Sequence, residues 1–246
     1  MKILHLYHDL MNLYGENGNV RVLCRHLADQ GIAVELERKT IGDAVDFSDY
    51  AFCYCGGGTE RSQKAALSHL RQYADSLRQA VEGGLPCLFT GNALEMLGEG
   101  IHGLDGRDHA GLGLLPFAVM EHPDARYTGD AVFSADWLPG GDAVGFINRC
   151  SELAGLPEEN TLFTVRMGRG NCSGDRREGV RLANCFGTCL IGPVLVKNPQ
   201  LMRWMVTLIG RQADAGFAYR ETAYPYEEDG YQVTHRALLE RMAAEQ

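Results

Sequence analysis

The first half of the chain alternates between short apolar runs and longer amphipathic segments. Apolar runs that predict buried strands occur at residues 3–7, 33–36 and 50–55. Segments that predict helices occupy residues 19–30 and 62–81. In the first of these, Val20, Leu23 and Leu27 recur at helical spacing before Gly31 ends the pattern. Strands that alternate with helices of this length are typical of an α/β fold with a doubly wound, mostly parallel sheet flanked by helices.

A further apolar run follows Pro86 and ends in a tight turn at Gly91 and Asn92, after which residues 93–97 predict the start of a helix. A strand, a sharp turn and a helix in this order form the nucleophile elbow of many hydrolases. The residue at the apex is strained and exposed, and the helix N-terminus stabilises negative charge. Here the apex is Gly91, which has no side chain to attack with.

Beyond residue 115 the pattern changes to short alternating segments. Those that predict strands are residues 131–137, 162–166 and 180–185. A last long periodic helix is predicted over 199–211. We therefore assign residues 1–213 to one α/β domain and residues 214–246 to a polar tail with a short helix at 234–244. The tail either covers the domain, docks a partner or is a solvated extension.

Composition and charge indicate which kinds of partner and cellular compartment suit this chain. The 246 residues are 45% hydrophobic, which suits one large core. The formal net charge of −9 argues against nucleic acid as a partner, because such partners select a clustered basic surface. No apolar run is long enough to span a membrane, and the N-terminal segment becomes polar too soon to be a signal peptide. We therefore expect a cytoplasmic protein.

Eight cysteines raise the question of disulfides or a metal site. Most of them lie inside apolar runs, and they lack the density of a small secreted scaffold. Cys53 with Cys55, and Cys185 with Cys189, lack the spacing of zinc ribbons. We expect reduced, mostly buried thiols, with no metal and no cofactor.

A family resemblance rests on five segments that follow one another over nearly the whole chain: residues 9–19, 56–63, 86–98, 145–148 and 187–199. In these segments the chain resembles class I glutamine amidotransferases of the CobB/CobQ type, and within them the GatD group. The resemblance implies the flavodoxin-like fold of class I glutamine amidotransferases. It also implies a Mur-ligase-like, ATP-dependent synthetase as partner, to which such a subunit feeds ammonia during peptidoglycan amidation.

The same resemblance places the family's catalytic cysteine at Gly91 and its histidine base at Ile191. Ile147 and Arg149 stand where the family pattern has a glutamate and a histidine near the substrate. Removing the nucleophile or the base alone costs a hydrolase triad on the order of a millionfold in turnover. The resemblance therefore implies a family member that does not hydrolyse glutamine by the thioester route.

The resemblance also identifies candidate ligand-binding residues that this chain retains. They are Gly56, Gly57, Gly58, Asn92 and Asn148. The three glycines offer backbone amides for an oxyanion pocket, although a glycine-rich strand end is common in any α/β fold. His8, Asp9 and Cys189 are further candidate pocket residues at the carboxyl edge of the sheet.

Three functions are compatible with these residues. The first is a degenerate amidotransferase subunit that binds a Mur-ligase-like synthetase. The second is a sensor of glutamine or a related small molecule. The third is an enzyme with a repurposed pocket that uses Cys189, His8 or Asp9. For the first, we expect the partner to contact the elbow and residues 9–19, including Glu16, through a basic patch that complements the acidic chain.

Overall fold

A computed structural model describes residues 1–245 of the chain. The strands are β1 (Lys2–Leu6), β2 (Glu35–Lys39), β3 (Phe52–Cys55), β4 (Cys87–Thr90), β5 (Gly100–His102), β6 (Asp108–Ala110), β7 (Ala118–Glu121), β8 (Tyr127–Ser134), β9 (Ala143–Arg149), β10 (Ser151–Ala154), β11 (Phe163–Met167), β12 (Arg177–Glu178), β13 (Val180–Leu182) and β14 (Cys185–Thr188). The α-helices are α1 (Asn17–Asp29), α2 (Glu60–Leu70), α3 (Ala74–Glu82), α4 (Val194–Lys197), α5 (Pro199–Ala213) and α6 (Pro225–Ala244). Short 3-10 helices lie at Phe47–Asp49, Arg71–Tyr73, Gly91–Leu97 and Glu158–Asn160.

A six-stranded sheet forms the centre, in the order β13-β14-β4-β3-β1-β2. All neighbouring pairs are parallel except β13 with β14. Every residue of β3, β4 and β14 is buried, which is why these strands read as continuous apolar runs. The predicted α/β architecture with a mostly parallel sheet is confirmed.

The helices cover this sheet largely as the periodicity predicts. Val20, Leu23 and Leu27 of α1 are all buried. The single crossover helix predicted over 62–81 is wrong, because the chain forms α2 and α3 instead. The break falls at Tyr73, whose backbone leaves the helical region with φ −114° and ψ 12°.

Two smaller sheets extend the fold, in the orders β10-β7-β5-β6 and β12-β11-β8-β9. Their pairs are antiparallel apart from β5 with β7. The strand predicted over 180–185 is a hairpin of two strands, because Ala183 turns the chain with a φ of 50°. A bridge between Phe146 and Ile191 joins the β9 sheet to the turn after β14.

The C-terminal helix is longer than the predicted 234–244. It begins at Pro225 and buries Tyr231 and Leu238 against Val132 and Val144. The Tyr231 hydroxyl also donates a hydrogen bond of 2.8 Å to the carbonyl oxygen of Asp142. Of the three arrangements open for this tail, the one observed is a cover over the β8–β9 sheet.

All eight cysteines are free, and six are buried. Cys87 stands in register with Cys53 on one side and Cys185 on the other, so three thiols cross the centre of the sheet. Within residues 1–245, no group of three or more His, Cys, Asp or Glu residues is arranged to hold a metal ion. None of the helices in this part of the chain combines the length and the apolar character needed to cross a membrane.

Candidate functional site

The elbow after β4 keeps a sharp turn. Gly91 has a φ of +58°, and its N–H donates to the carbonyl oxygen of Leu190 at 3.3 Å. The chain continues as a 3-10 helix of seven residues, Gly91–Leu97, where the sequence predicts the start of a helix at residues 93–97.

Gly91 and Ile191 face each other across this turn. A Cβ placed on Gly91 would lie 2.9 Å from Cγ2 of Ile191 and 3.1 Å from the Cα of Gly57. Ile191 is fixed by its N–H, which donates to the carbonyl oxygen of Phe146 at 2.9 Å. The structure thus brings residues 91 and 191 into contact, although they are far apart in sequence, and neither carries a reactive group.

The glycine segment lies beside the elbow, and one of its amides is occupied. The N–H of Gly58 donates to Oδ1 of Asn92 at 2.9 Å, and the Gln63 side chain donates to the Asn92 carbonyl oxygen at 2.6 Å. Gly56 lies behind the pocket, where a Cβ would meet the Glu16 side chain at 2.5 Å. Gly57 and Gly58 therefore border the pocket, whereas Gly56 provides room for Glu16.

Glu16 is a buried carboxylate directly behind the elbow, with no exposed surface. Its Oε2 accepts hydrogen bonds from the hydroxyls of Tyr54, at 2.6 Å, and Thr90, while Oε1 accepts from the N–H of Gly192 at 3.1 Å. A buried charge needs several donors of this kind. Glu16 thereby joins α1, β3, β4 and the turn that carries Ile191, and the expectation that it forms part of an exposed partner surface is wrong.

The pocket in front of the elbow has a free volume of about 40 Å³, enough for a few water molecules. Side chains close its mouth. Arg126 forms an ion pair with Glu60, and its Nη1 donates to Oδ1 of Asn148 at 3.0 Å. The Asn148 amide in turn donates to the Tyr14 hydroxyl at 2.7 Å. These four side chains, which we call the mouth chain, connect α2, the start of β8, β9 and the loop before α1.

The inner wall of the pocket is polar and buried. Glu95 accepts hydrogen bonds from the Gln63 side chain, at 2.7 Å, and from the Ser151 hydroxyl, and burial raises the pKa of its carboxyl. The Cys150 thiol donates to Glu60 at 3.4 Å. Burial, together with this carboxylate, raises the pKa of Cys150 to about 11. The only cysteine among the lining residues is therefore a protonated thiol near neutral pH and a weak nucleophile.

The three further candidates do not line this pocket. Asp9 accepts a hydrogen bond of 2.7 Å from the Thr40 hydroxyl at the end of β2, and His8 lies beside Asp9. Cys189 is buried next to Glu178, to which its N–H donates at 2.7 Å, and burial raises the pKa of its thiol well above the usual range. The structure therefore places His8, Asp9 and Cys189 outside the pocket in front of the elbow.

Sequence reasoning missed the side chains that shape the pocket from outside the elbow. Arg126 follows a loop with no recognisable motif, and Glu60 opens a helix as an ordinary first-turn acid. Glu95 occupies the fourth position after the apex, where helical spacing alone points it inward. Only the fold brings these residues together.

Two known proteins are similar to this chain in sequence over most of its length. The chain is 31% identical over 206 residues to the GatD subunit of the glutamine-hydrolysing lipid II isoglutaminyl synthase of Staphylococcus aureus N315, a match that covers 84% of this chain and 83% of the relative. It is 27% identical over 209 residues to the corresponding GatD subunit of Streptococcus pneumoniae R6, covering 84% and 79%.

Solved structures show the same fold. A glutamine amidotransferase crystal structure superposes with a TM-score of 0.55 at 20% identity, over 84% of this chain and 98% of that one. The PurLQS structure from Thermotoga maritima gives 0.52 at 16%, over 86% and 96%. The model of the CobB/CobQ-like glutamine amidotransferase domain matches residues 2–199. The chain therefore belongs to the CobB/CobQ-like glutamine amidotransferase family.

Proposed function

We propose that this protein is a degenerate glutamine amidotransferase subunit of the GatD type, without glutaminase activity, that binds a Mur-ligase-like, ATP-dependent amide ligase in peptidoglycan amidation. The similarity to two GatD subunits supports the kind of partner. The contact between Gly91 and Ile191 carries the proposal, because the positions that the family resemblance assigns to the nucleophile and the base meet in space but hold no reactive group.

Three features of the pocket support the loss of the reaction. Gly91 offers no atom for attack on the amide carbon, and Ile191 has no group that accepts a proton. The Gly58 N–H is already bonded to Asn92, so it is not free to stabilise an oxyanion. Among the residues that line the described pocket there is no histidine that would activate Cys150.

The first experiment measures glutamate release from glutamine by the isolated chain and by its complex with the ligase. A GatD subunit with its cysteine and histidine intact serves as the positive control. We expect no release above the buffer rate from either sample. Turnover at the rate of the positive control, blocked by a thiol-alkylating glutamine analogue, would contradict the proposal.

Association is tested separately from chemistry. A Mur-ligase-like synthetase from the same organism is expressed with a tag, and retention of this chain is measured. We expect a stable complex that forms faster at low salt, because the chain carries a net charge of −9. Absence of binding would refute the subunit role while leaving the loss of glutaminase activity untouched.

One observation favours a sensor as the second candidate. Glu60 and Arg126 place a carboxylate and a guanidinium side by side at the pocket mouth. An amino acid carries the complementary pair, so a ligand that opened the mouth chain would replace the internal ion pair with two of its own. Calorimetry with glutamine tests this, with Arg126→Ala as the disabling variant and the exposed Arg107→Ala as its control. Absence of heat with the unaltered protein excludes this candidate.

A further inference from the structure

Helix α6 presents apolar and small residues on the side that faces away from the domain. Its inner face is already used, because Tyr231 and Leu238 are buried. On the outer face, Tyr226 is 92% exposed and Val233 is 64% exposed, the two highest values among the large hydrophobic side chains that are exposed in the described structure. A helix with apolar residues on two opposite faces has more apolar surface than one neighbour covers.

The outer residues follow helical spacing. The outer stripe of α6 consists of Tyr226, Gly230, Val233, Ala237 and Ala244, all of them exposed, with the exposed Glu240 on the same line between the last two. Their intervals of three, four and seven residues place them along one line of the helix. This stripe lies outside residues 2–199, the segment matched by the family model, so it is not part of the amidotransferase site.

Gly230 indicates that the stripe is a contact surface. Glycine in an exposed helix interior destabilises the helix relative to alanine. Nothing within the chain requires it, because a Cβ at Gly230 would meet no atom within 4 Å. A small residue at such a position allows the backbone of another molecule to approach closely. An intermolecular contact would therefore explain a glycine that no contact within the monomer explains.

Two charged side chains beside the stripe indicate that its partner is a second copy of the chain. Asp229 and Arg236 lie on the same flank and are exposed, and neither forms an ion pair with any other residue of the described chain. In a two-fold, antiparallel pair of α6 helices with Val233 at the axis, position 229 faces position 237 and position 230 faces position 236. Asp229 of each copy therefore lies on the same flank as Arg236 of the other and one residue from exact opposition, which is within reach of these long side chains. A parallel pair would place this flank of the two copies on opposite sides of the contact, so Asp229 would not meet Arg236 of the other copy.

We propose that α6 forms a two-fold, antiparallel contact with α6 of a second copy of this chain, with Val233 at the axis and two reciprocal Asp229–Arg236 ion pairs. One helix pair buries less area than a standard interface, so the self-association is weak and reversible. No residue of α6 lines the elbow pocket, and the contact is independent of the function proposed above.

Sedimentation velocity of the full chain over the micromolar concentration range tests this contact. We expect the mass to rise from 27.0 kDa towards twice that value as concentration increases. Val233→Asp should abolish the rise, whereas Gln232→Asp, an exposed neighbour off the stripe, should leave it unchanged. Both substituted side chains are exposed, and circular dichroism verifies that each variant is folded.

A charge swap separates self-association from any other occupant. Asp229→Arg alone should weaken the dimer at least tenfold, and Asp229→Arg combined with Arg236→Asp should restore it, because the reciprocal pairs re-form with reversed polarity. A chain that stays monomeric at every concentration overturns the proposal, including the case in which a different protein covers the stripe. A dimer that is insensitive to Val233→Asp, or a swap that restores nothing, also overturns it.

Discussion

Replacing Gly91 by alanine should destabilise the protein more than a glycine substitution with comparable backbone geometry elsewhere. A non-glycine residue in the left-handed region costs about 1–2 kcal/mol. At φ +58° the new Cβ would also lie 2.9 Å from Cγ2 of Ile191, well inside the usual carbon contact of about 3.5–4.0 Å. Overpacking of this kind costs about 1–3 kcal/mol, so we expect a total loss of roughly 2–5 kcal/mol.

Gly106→Ala is the matched control, because Gly106 has a φ of +71° and no atom lies within 4 Å of its Cβ position. It should lose only the backbone contribution, about 1–2 kcal/mol. Urea unfolding followed by circular dichroism gives the free energy of unfolding for both variants, and an unchanged m-value verifies that the same transition is compared.

A double-mutant cycle then isolates the contact. Ile191→Ala removes Cγ2 and is itself destabilising, by about 2–5 kcal/mol. In that background Gly91→Ala keeps only its contact of 3.1 Å with the Gly57 Cα, so its cost should fall towards that of Gly106→Ala, which gives a coupling energy of about 1–3 kcal/mol. If Gly91→Ala and Gly106→Ala cost the same, and the coupling lies within about 0.5 kcal/mol of zero, residues 91 and 191 are not in contact and the argument for a facing, inactive pair fails.

Three further predictions concern the same core. Restoring glutaminase activity should require Gly91→Cys and Ile191→His together. It should also require Asn92→Gly, which frees the Gly58 N–H. Robust turnover by Gly91→Cys alone or by Ile191→His alone would contradict this prediction. Glu16→Gln should lower the free energy of unfolding by about 2–4 kcal/mol, since it removes a buried acceptor with several donors, whereas Glu35→Gln on the exposed edge should have little effect. Burial, aided by His8 and Arg38, lowers the pKa of His5 to about 3 from its usual 6.5. The unfolded chain therefore binds a proton that the folded chain does not, and stability falls as pH decreases from 6.5 towards 3. His5→Asn should flatten this slope by about 1.4 kcal/mol per pH unit, and an unchanged slope in this variant would contradict the prediction.

The central fold was predictable because its signals are local. Strands such as Phe52–Cys55 are buried on both faces, so their apolar runs are unbroken, and α1 shows one apolar face because one side of it meets the sheet. The break between α2 and α3 was not predictable in this way. Apolar periodicity continues across Tyr73 through Leu70 and Leu77, while the backbone departs from the helix.

The pocket was only partly predictable. Gly91 and Ile191 were identified by resemblance, but the Gly58–Asn92 hydrogen bond and the mouth chain depend on which loops the sheet brings together. Glu16 illustrates the difficulty: its hydrogen bond to Gly192 joins residues 176 positions apart, so no local pattern distinguishes it from a solvated acid. The length of α6 was underestimated for a different reason. Apolar residues on both of its faces cancel the amphipathic signal, and Gly230 resembles a helix end.

Glu16 and Gly57 are buried, so neither is accessible to a partner ligase. The surface that a partner would contact must therefore consist of other residues near the pocket. Leu13 lines the pocket and is 50% exposed, while Phe146, which does not line the pocket but is bridged to its lining residue Ile191, is 36% exposed. Two large apolar side chains beside a closed pocket are the groups that a partner would bury, each contributing about 1.5–3 kcal/mol. Leu13→Asp and Phe146→Asp should each weaken the complex at least tenfold, and Ile41→Asp, 45% exposed and outside the pocket lining, is the control. A complex that tolerates both substitutions but loses affinity with Ile41→Asp would place the ligase elsewhere on the surface.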